Sequence, residues 1–403
     1  MGAEREPGAA NEARCEAQRD AGSYAELCIP GLQEIIREQL PRRRTQRARR
    51  ATGLEAEILA ALWSHGFLFA NQIWRRWWPE RTRRWAYHAL KEMALAGWVE
   101  RYRLMTSVGG SQQRFYALAE PGFEIARGRR LRERHGIPRD ARWQGLVVDR
   151  TGGLPRELHV NGWVLALEQL AGELMSAWRG PFESQLLPPR RRVRGQWIEV
   201  RPADIVLGTN HRLTGYQANA LEAVNPHATV ELELPDRTRR ELMIEYQAHD
   251  DPFVLQERLA RYDVFVSGWA HLLDRCRPPA RAPIVLLVCP DGRRLGSVVE
   301  IADRALTTRV AKAGTPEADW PFPGRRSVLF AVEPDIHEAS LRAFAVPQHP
   351  PDLRARISEM GQAAGELREV QFIDPGVLPE RRPPETPHPR RSGFRSRSAG
   401  AKK

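Results

Sequence analysis

Cysteine is scarce. The 403 residues hold four, Cys15, Cys28, Cys276 and Cys289, and none stands in a CxxC pair. This fits a reducing, cytoplasmic compartment better than a disulfide framework or a zinc site. No run of 18 apolar residues exists, so no membrane-spanning helix is expected. The stretch Met1–Pro7 lacks the apolar core of a secretory signal. No glycine-rich phosphate loop with its lysine and no dinucleotide motif occurs, so no nucleotide cofactor is expected. Gly152-Gly153 stands alone and reads as a linker turn. Internal repeats are absent too.

What is present is length, apolar content and positive charge. The chain is long enough for two or three domains, and 42% hydrophobic residues can build real cores. The net charge is +12, and it is unevenly placed. Residues 41–50 carry six Arg and no acid; residues 381–403 carry eight Arg and Lys against Glu385. Residues 51–130 hold 12 basic against seven acidic residues. Basic tails beside a basic folded module favour a polyanion through counterion release.

Apolar spacing divides the chain. Residues 1–50 read as a disordered basic tail, with a short helix near Gly31–Leu40. Residues 51–130 read as one module. Leu54–His65 has helical spacing, Phe69–Trp78 is a second short helix and Arg81–Ala96 a third, with Gly97 as its C-cap. Trp98–Tyr102 and Arg114–Leu118 read as strands around Gly109-Gly110. Three helices followed by a hairpin is the winged helix-turn-helix order. Gly122–Arg130 adds a helix, and residues 131–156 form a charged linker.

Residues 157–345 read as a second domain, a mixed sheet flanked by helices, so the fold class is α+β or α/β with two domains. Its helices are Trp163–Trp178, Pro252–Leu272, Val298–Val310 and His337–Phe344. Its strands are Phe182–Leu187, Trp197–Leu207, Val230–Leu234, Glu241–Gln247, Ile284–Cys289 and Val328–Val332. The loop Pro188–Gly195 holds four Arg. Residues 346–403 read as a Pro/Arg-rich, mostly disordered tail with a docking helix over Met360–Phe372.

In a winged helix the third helix enters the major groove. Here it offers Arg81, Arg83, Arg84, His88 and Lys91, and the hairpin adds Arg103 and Arg114. These seven are the candidate DNA contacts, with double-stranded DNA as the partner. Trp74, Trp77, Trp78 and Trp85 read as core or dimer contacts, and their density leaves a homodimer open.

Two strand-like runs each carry an acid: Arg201-Pro-Ala-Asp204 and Ile244-Glu245-Tyr-Gln247. Glu245 and Gln247 are two apart, so they share a strand face. Metal-assisted phosphodiester cleavage needs two or three oxygen ligands converging on Mg²⁺. Asp204 and Glu245 are the candidate ligands, with Glu168 or Glu173 on the preceding helix as a third. His159 could orient a ligand or a water.

These motifs come in a fixed order: winged helix, His159, Arg-Pro-Ala-Asp204, Ile-Glu245-Tyr-Gln247, then Leu255-Gln-Glu-Arg258-Leu-Ala-Arg261-Tyr262. Over about residues 50–345 this order resembles the replication-relaxation family of plasmids and integrated elements of actinobacteria. The second domain is similar to the PD-(D/E)xK, restriction-endonuclease-like fold. The resemblance implies a DNA-binding protein acting in plasmid replication, relaxation or its control. It places Asp204 and Glu245 as catalytic acids, with Gln247 where nucleases hold Lys. Gln cannot supply that cation; Arg258, Arg261 or Arg190–Arg192 could do so electrostatically. The alternatives are an active Mg²⁺-dependent endonuclease and a winged-helix regulator with a non-catalytic dimerisation domain.

Overall fold

The computed structural model describes residues 32–38, 50–106, 113–128, 143, 154–180, 184–187, 190–193, 196–199, 206–207, 211–212, 223–247, 251–273, 276, 280–310, 314–315, 319–338, 340–359 and 366–373.

The first unit runs β1 (Leu32–Arg37), α1 (Gly53–His65), β2 (Phe67–Phe69), α2 (Ala70–Trp77), α3 (Arg83–Leu95), β3 (Val99–Thr106), β4 (Gln113–Leu118) and α4 (Glu120–Gly128). Thr52 and Glu55 start α1 as a reciprocal cap: Thr52 Oγ1 accepts from Glu55 N, and the Glu55 carboxylate accepts from Thr52 N at 2.8 Å. Gly66, at φ 70°, ends it. The strands form a four-stranded sheet in the order β1-β3-β4-β2. The tip Gly109-Gly110 lies outside the described residues.

Where a short helix was expected near Gly31–Leu40, residues 32–37 form strand β1. It pairs antiparallel with β3, from Leu32↔Thr106 to Arg37↔Tyr102. The β-branched pair Ile35-Ile36 favours a strand, and β3 would otherwise present an open edge.

The second unit begins with α5 (Leu154–Ala171) and β5 (Met175–Arg179). Two short hairpins follow, β6 (Arg190–Val193) with β7 (Gln196–Glu199), and β8 (Val206–Leu207) with β9 (His211–Arg212). Then come β10 (Ala228–Glu233), β11 (Arg239–Tyr246), α6 (Pro252–Val264), β12 (Ile284–Cys289), α7 (Gly292–Ala305), α8 (Gly324–Ser327), β13 (Val328–Val332), α9 (Glu333–His337), β14 (Arg342–Ala345), α10 (Pro351–Glu359) and β15 (Arg368–Gln371). A seven-stranded mixed sheet has the order β15-β14-β13-β12-β11-β10-β5. Its middle strands β11, β12 and β13 are parallel. The remaining pairings, β5 with β10, β10 with β11, β13 with β14 and β14 with β15, are antiparallel.

Several elements differ from expectation. Where a docking helix was expected over Met360–Phe372, residues 368–371 form strand β15, paired with β14. The strand expected over Trp197–Leu207 is the two short strands β7 and β8, and the helix expected over Val298–Val310 is α7, six residues earlier at its start. The helix expected over Trp163–Trp178 starts nine residues earlier and stops at Ala171, because Gly172 adopts φ 54° and turns the chain. Trp178 therefore lies in β5, and Leu186 makes only an isolated bridge to Val224. The helix expected over His337–Phe344 is instead α9 followed by β14. Pro334 sits at the first turn of α9, where its missing N–H costs nothing.

Side chains alternate across the sheet. Leu242, Ile244, Tyr246, Leu286, Val288, Leu329 and Ala331 pack with Val160, Trp163, Val164 and Leu167 of α5. Met243, Val285, Leu287, Val328 and Phe330 pack with Leu255, Leu259 and Tyr262 of α6 and Val298 and Ala302 of α7. The core on the α5 side is continuous with Ile58, Leu59, Leu62 and Ile73 of the first unit. Buried Asn161 ties the two, donating to the carbonyls of His65 at 3.1 Å and Phe67 at 2.8 Å.

Behind α6 lies a buried charged hub. Asp263 Oδ2 accepts from the backbone N–H groups of Thr307 at 2.9 Å and Thr308 at 2.7 Å. A side chain at residue 324 would put a Cβ 1.9 Å from Asp263 Oδ1, so only glycine fits there. Burial pushes the Asp263 carboxyl up to about 7, against the lowering effect of Thr308, Thr307 and Arg325. In the unfolded chain the same group titrates near 3.8. The folded state therefore holds the extra proton between these values, and stability falls as pH rises from about 4 to 7. The expected slope from this group is on the order of 1 kcal/mol per pH unit. Asp263→Asn keeps the acceptor and loses the titration. Urea melts at pH 5 and 7 should show a smaller pH difference in the variant than in the parent; equal differences would remove Asp263 from the account.

Candidate nucleic-acid interface and acidic cluster

Helix α3 buries Ala86, Leu90, Met93 and Ala94 and turns the opposite face outward. Thr82 caps it, accepting from Trp85 N at 3.3 Å. Its first turn holds Arg83 and Arg84 and no acid. Cations there oppose the helix dipole, at roughly 0.3–1 kcal/mol each, so folding alone does not favour them. Arg84, His88 and Lys91 follow at i, i+4 and i+7 and are all exposed. None of the three forms an ion pair among the described residues. Arg81 and Arg83 are partly engaged, lying 5.5 Å over the Trp85 ring and 5.6 Å over the Tyr87 ring.

Trp85 is not core. It is 44% exposed and meets the buried Trp78 edge-on at 5.3 Å.

Arg103 and Arg114 are placed differently from the expectation. With Arg101 they converge on Glu38, at the end of β1. Arg103 Nε donates to Glu38 Oε1 at 3.0 Å, Arg114 Nε lies 3.5 Å from Oε2, and Arg101 pairs with the same oxygen. Burial works to raise this carboxyl, but the three guanidinium groups hold it below its usual value. One carboxylate against three guanidinium groups leaves this face of the hairpin cationic, with its side chains already ordered.

Glu245, near the end of β11, is 1% exposed and faces α6. The Tyr262 hydroxyl donates to Oε1 at 2.5 Å. Oε2 lies 3.1 Å from His227 Nδ1 and 3.7 Å from Arg258. Burial and the Glu245 charge push the Tyr262 hydroxyl well up, so it stays a donor and not a nucleophile. His227 stands just before β10, and Arg156 lies 3.3 Å from its Nε2. Gln247 is fully buried; its N–H donates to Val288 O at 2.8 Å, and its carbonyl accepts from Arg294 Nε at 3.2 Å. On the other face of β11, Tyr246 donates to Glu333 at 2.9 Å, and His159 Nδ1 lies 2.7 Å from the same carboxylate.

Of the expected site residues, Glu245 and Arg258 do meet. Glu168 does not join them: it sits on the α5 side of the sheet in a two-point pair with Arg76, at 3.1 and 2.7 Å. Arg261 lies 3.9 Å from Glu257. Asp204 lies outside the described residues. His227, Arg156 and Glu333 were missed, because their partners are 18 to 174 positions away in the chain. Tyr262 had a local signal, one helical turn beyond Arg258 and on the same face.

Among the described residues, no three His, Cys, Asp or Glu side chains come together as metal ligands. Oε2 of Glu245 is buried without a hydrogen bond, which on its own would suit a cation. Its neighbours, however, are an imidazole and a guanidinium, and Mg²⁺ demands an oxygen shell. The described donor set therefore does not fit Mg²⁺. No helix among the described residues is long and apolar enough to cross a membrane. No family model, no curated protein and no solved structure matches the chain.

Proposed function

We propose that this chain is a duplex-DNA-binding protein of the replication-relaxation type. In this reading it acts in replication or relaxation of a plasmid or integrated element, or in their control. The first unit is a winged helix with α3 as the groove-entering helix. The order α1-β2-α2-α3-β3-β4, with β2 pairing β4, supports it. The observation that carries the reading is the exposed stripe Arg84, His88, Lys91, whose first member stands against the helix dipole. Arg suits guanine and phosphate contacts alike, and Lys suits phosphate.

The second unit is of nuclease-like descent. Helix α5, three antiparallel strands, helix α6 and a strand parallel to the third support that assignment. Its Glu245 carboxylate is occupied by Tyr262, with His227 and Arg258 beside it, and Gln247 replaces the cation nucleases require. The unit therefore holds a fold and not a cleavage reaction. Plasmid nicking in Mg²⁺ tests this: the parent, Asp204→Ala and Glu245→Gln should all leave supercoiled plasmid intact. Nicking by the parent that either variant abolishes would establish the endonuclease alternative.

A further inference from the structure

We propose that the carboxyl ends of the parallel strands, under the first turns of α5, form a binding site for a phosphoryl group, with His159 and Arg156 as its donors. The inference uses none of the DNA-binding face and stands or falls without it.

The placement is the first reason. In sheets with parallel central strands, ligands collect beyond the carboxyl ends of those strands. Here β11 ends at Tyr246, β13 runs into Glu333, and α5 lays Arg156 and His159, three residues apart and so on one helix face, over that edge.

The second reason is how His159 is held. Nδ1 lies 2.7 Å and 3.0 Å from the two Glu333 oxygens. The ring stacks on Tyr246 at 4.5 Å and 10°. The Tyr246 hydroxyl closes the set by donating to Glu333 at 2.9 Å. Glu333 is 6% exposed and Tyr246 2%. The carboxylate fixes the proton on Nδ1, and the stack fixes the plane. Nε2 then carries the lone pair, and among the described residues it makes no hydrogen bond. At 16% side-chain exposure its edge is reachable. A tie between α5 and β13 would need only one donor and one acceptor. It would not need an imidazole fixed on one side and open on the other.

The third reason is charge. The acids at this edge are Glu333, Asp291 and, across β11, Glu245, and the donors are Arg156, His159, His227 and Arg294. An anion with several acceptor oxygens matches them. On binding, Nε2 and a phosphoryl oxygen share one proton in a hydrogen bond, while the Arg156 guanidinium donates to another oxygen. No covalent bond is made or broken.

The test uses the full chain with ¹³C-labelled histidine. The His159 Cε1–H cross-peak, identified by its loss in His159→Asn, is followed against inorganic phosphate. It is also followed against a single-stranded oligonucleotide with a 5′-phosphate, the same oligonucleotide without it, and chloride at equal ionic strength. A saturable shift with phosphate but not chloride is expected. Calorimetric affinity for inorganic phosphate should fall at least about tenfold in His159→Asn and in Arg156→Gln, and stay unchanged in Arg304→Gln on the exposed face of α7. A shift with both phosphate and the 5′-phosphate strand assigns a nucleic-acid end as the source; a shift with inorganic phosphate alone assigns the free ion. An unmoved cross-peak in every arm overturns the proposal, as does an equal shift with chloride.

Discussion

Replacing Arg84, His88 and Lys91 together by alanine is expected to lower the proposed duplex affinity by about 3 kcal/mol, roughly 100-fold. These residues form one exposed line on α3 and pair with no acid among the described residues. Their removal disturbs no core contact, so stability should move by less than about 0.5 kcal/mol. Two of the three are permanent cations. Each phosphate they neutralise contributes about 0.9 to the slope of log K against log salt, so the slope should flatten by roughly two units. Arg81 and Arg83 are left in place because they rest on Trp85 and Tyr87. Anisotropy titrations across salt concentrations read both quantities. An unchanged slope would move the polyanion contact to the tails.

Arg325→Ala destabilises the fold by about 3–5 kcal/mol, as expected when one partner of a buried ion pair is deleted. Arg325 is fully buried. Nε donates to Pro347 O at 2.6 Å, and one terminal nitrogen to Asp303 O at 2.9 Å and Leu306 O at 2.8 Å. The other terminal nitrogen pairs with the Asp303 carboxylate, which Arg354 also holds. Alanine strands the carbonyls of Pro347, Asp303 and Leu306 and leaves that carboxylate half-neutralised. It also loosens the junction of α7, α8 and the segment after β14. Urea unfolding measures the change; a loss under about 1 kcal/mol would mean that water replaces the guanidinium at little cost.

The parts of this fold that were legible from the chain are those fixed locally. Ile284–Cys289 and Val328–Val332 are continuous apolar runs, and both are strands with the expected bounds. The parts that escaped depend on partners distant in sequence. Strand β1 exists because β3 offers an edge some seventy residues later. Strand β5 was hidden behind a helical pattern that Gly172 cuts short. In the acidic cluster the pair Glu245 and Gln247 was visible as strand spacing. His227 was not, because only the β10–β11 pairing brings it beside Glu245. Glu168 had the right chemistry on the wrong side of the sheet, and period alone does not say which face a neighbouring helix covers. Arg103 and Arg114 looked like free cations because Glu38 belongs to a segment that composition assigned to a tail.

In the function proposed above, α3 grips duplex DNA. A hydroxyl-radical footprint of the full chain on a duplex pool enriched for binding, run with and without Mg²⁺, tests it most directly. The expected result is a protected patch that is the same in both conditions and vanishes when Arg84, His88 and Lys91 are alanine. A patch that survives those three substitutions, or strand breaks that appear only with Mg²⁺, would contradict it.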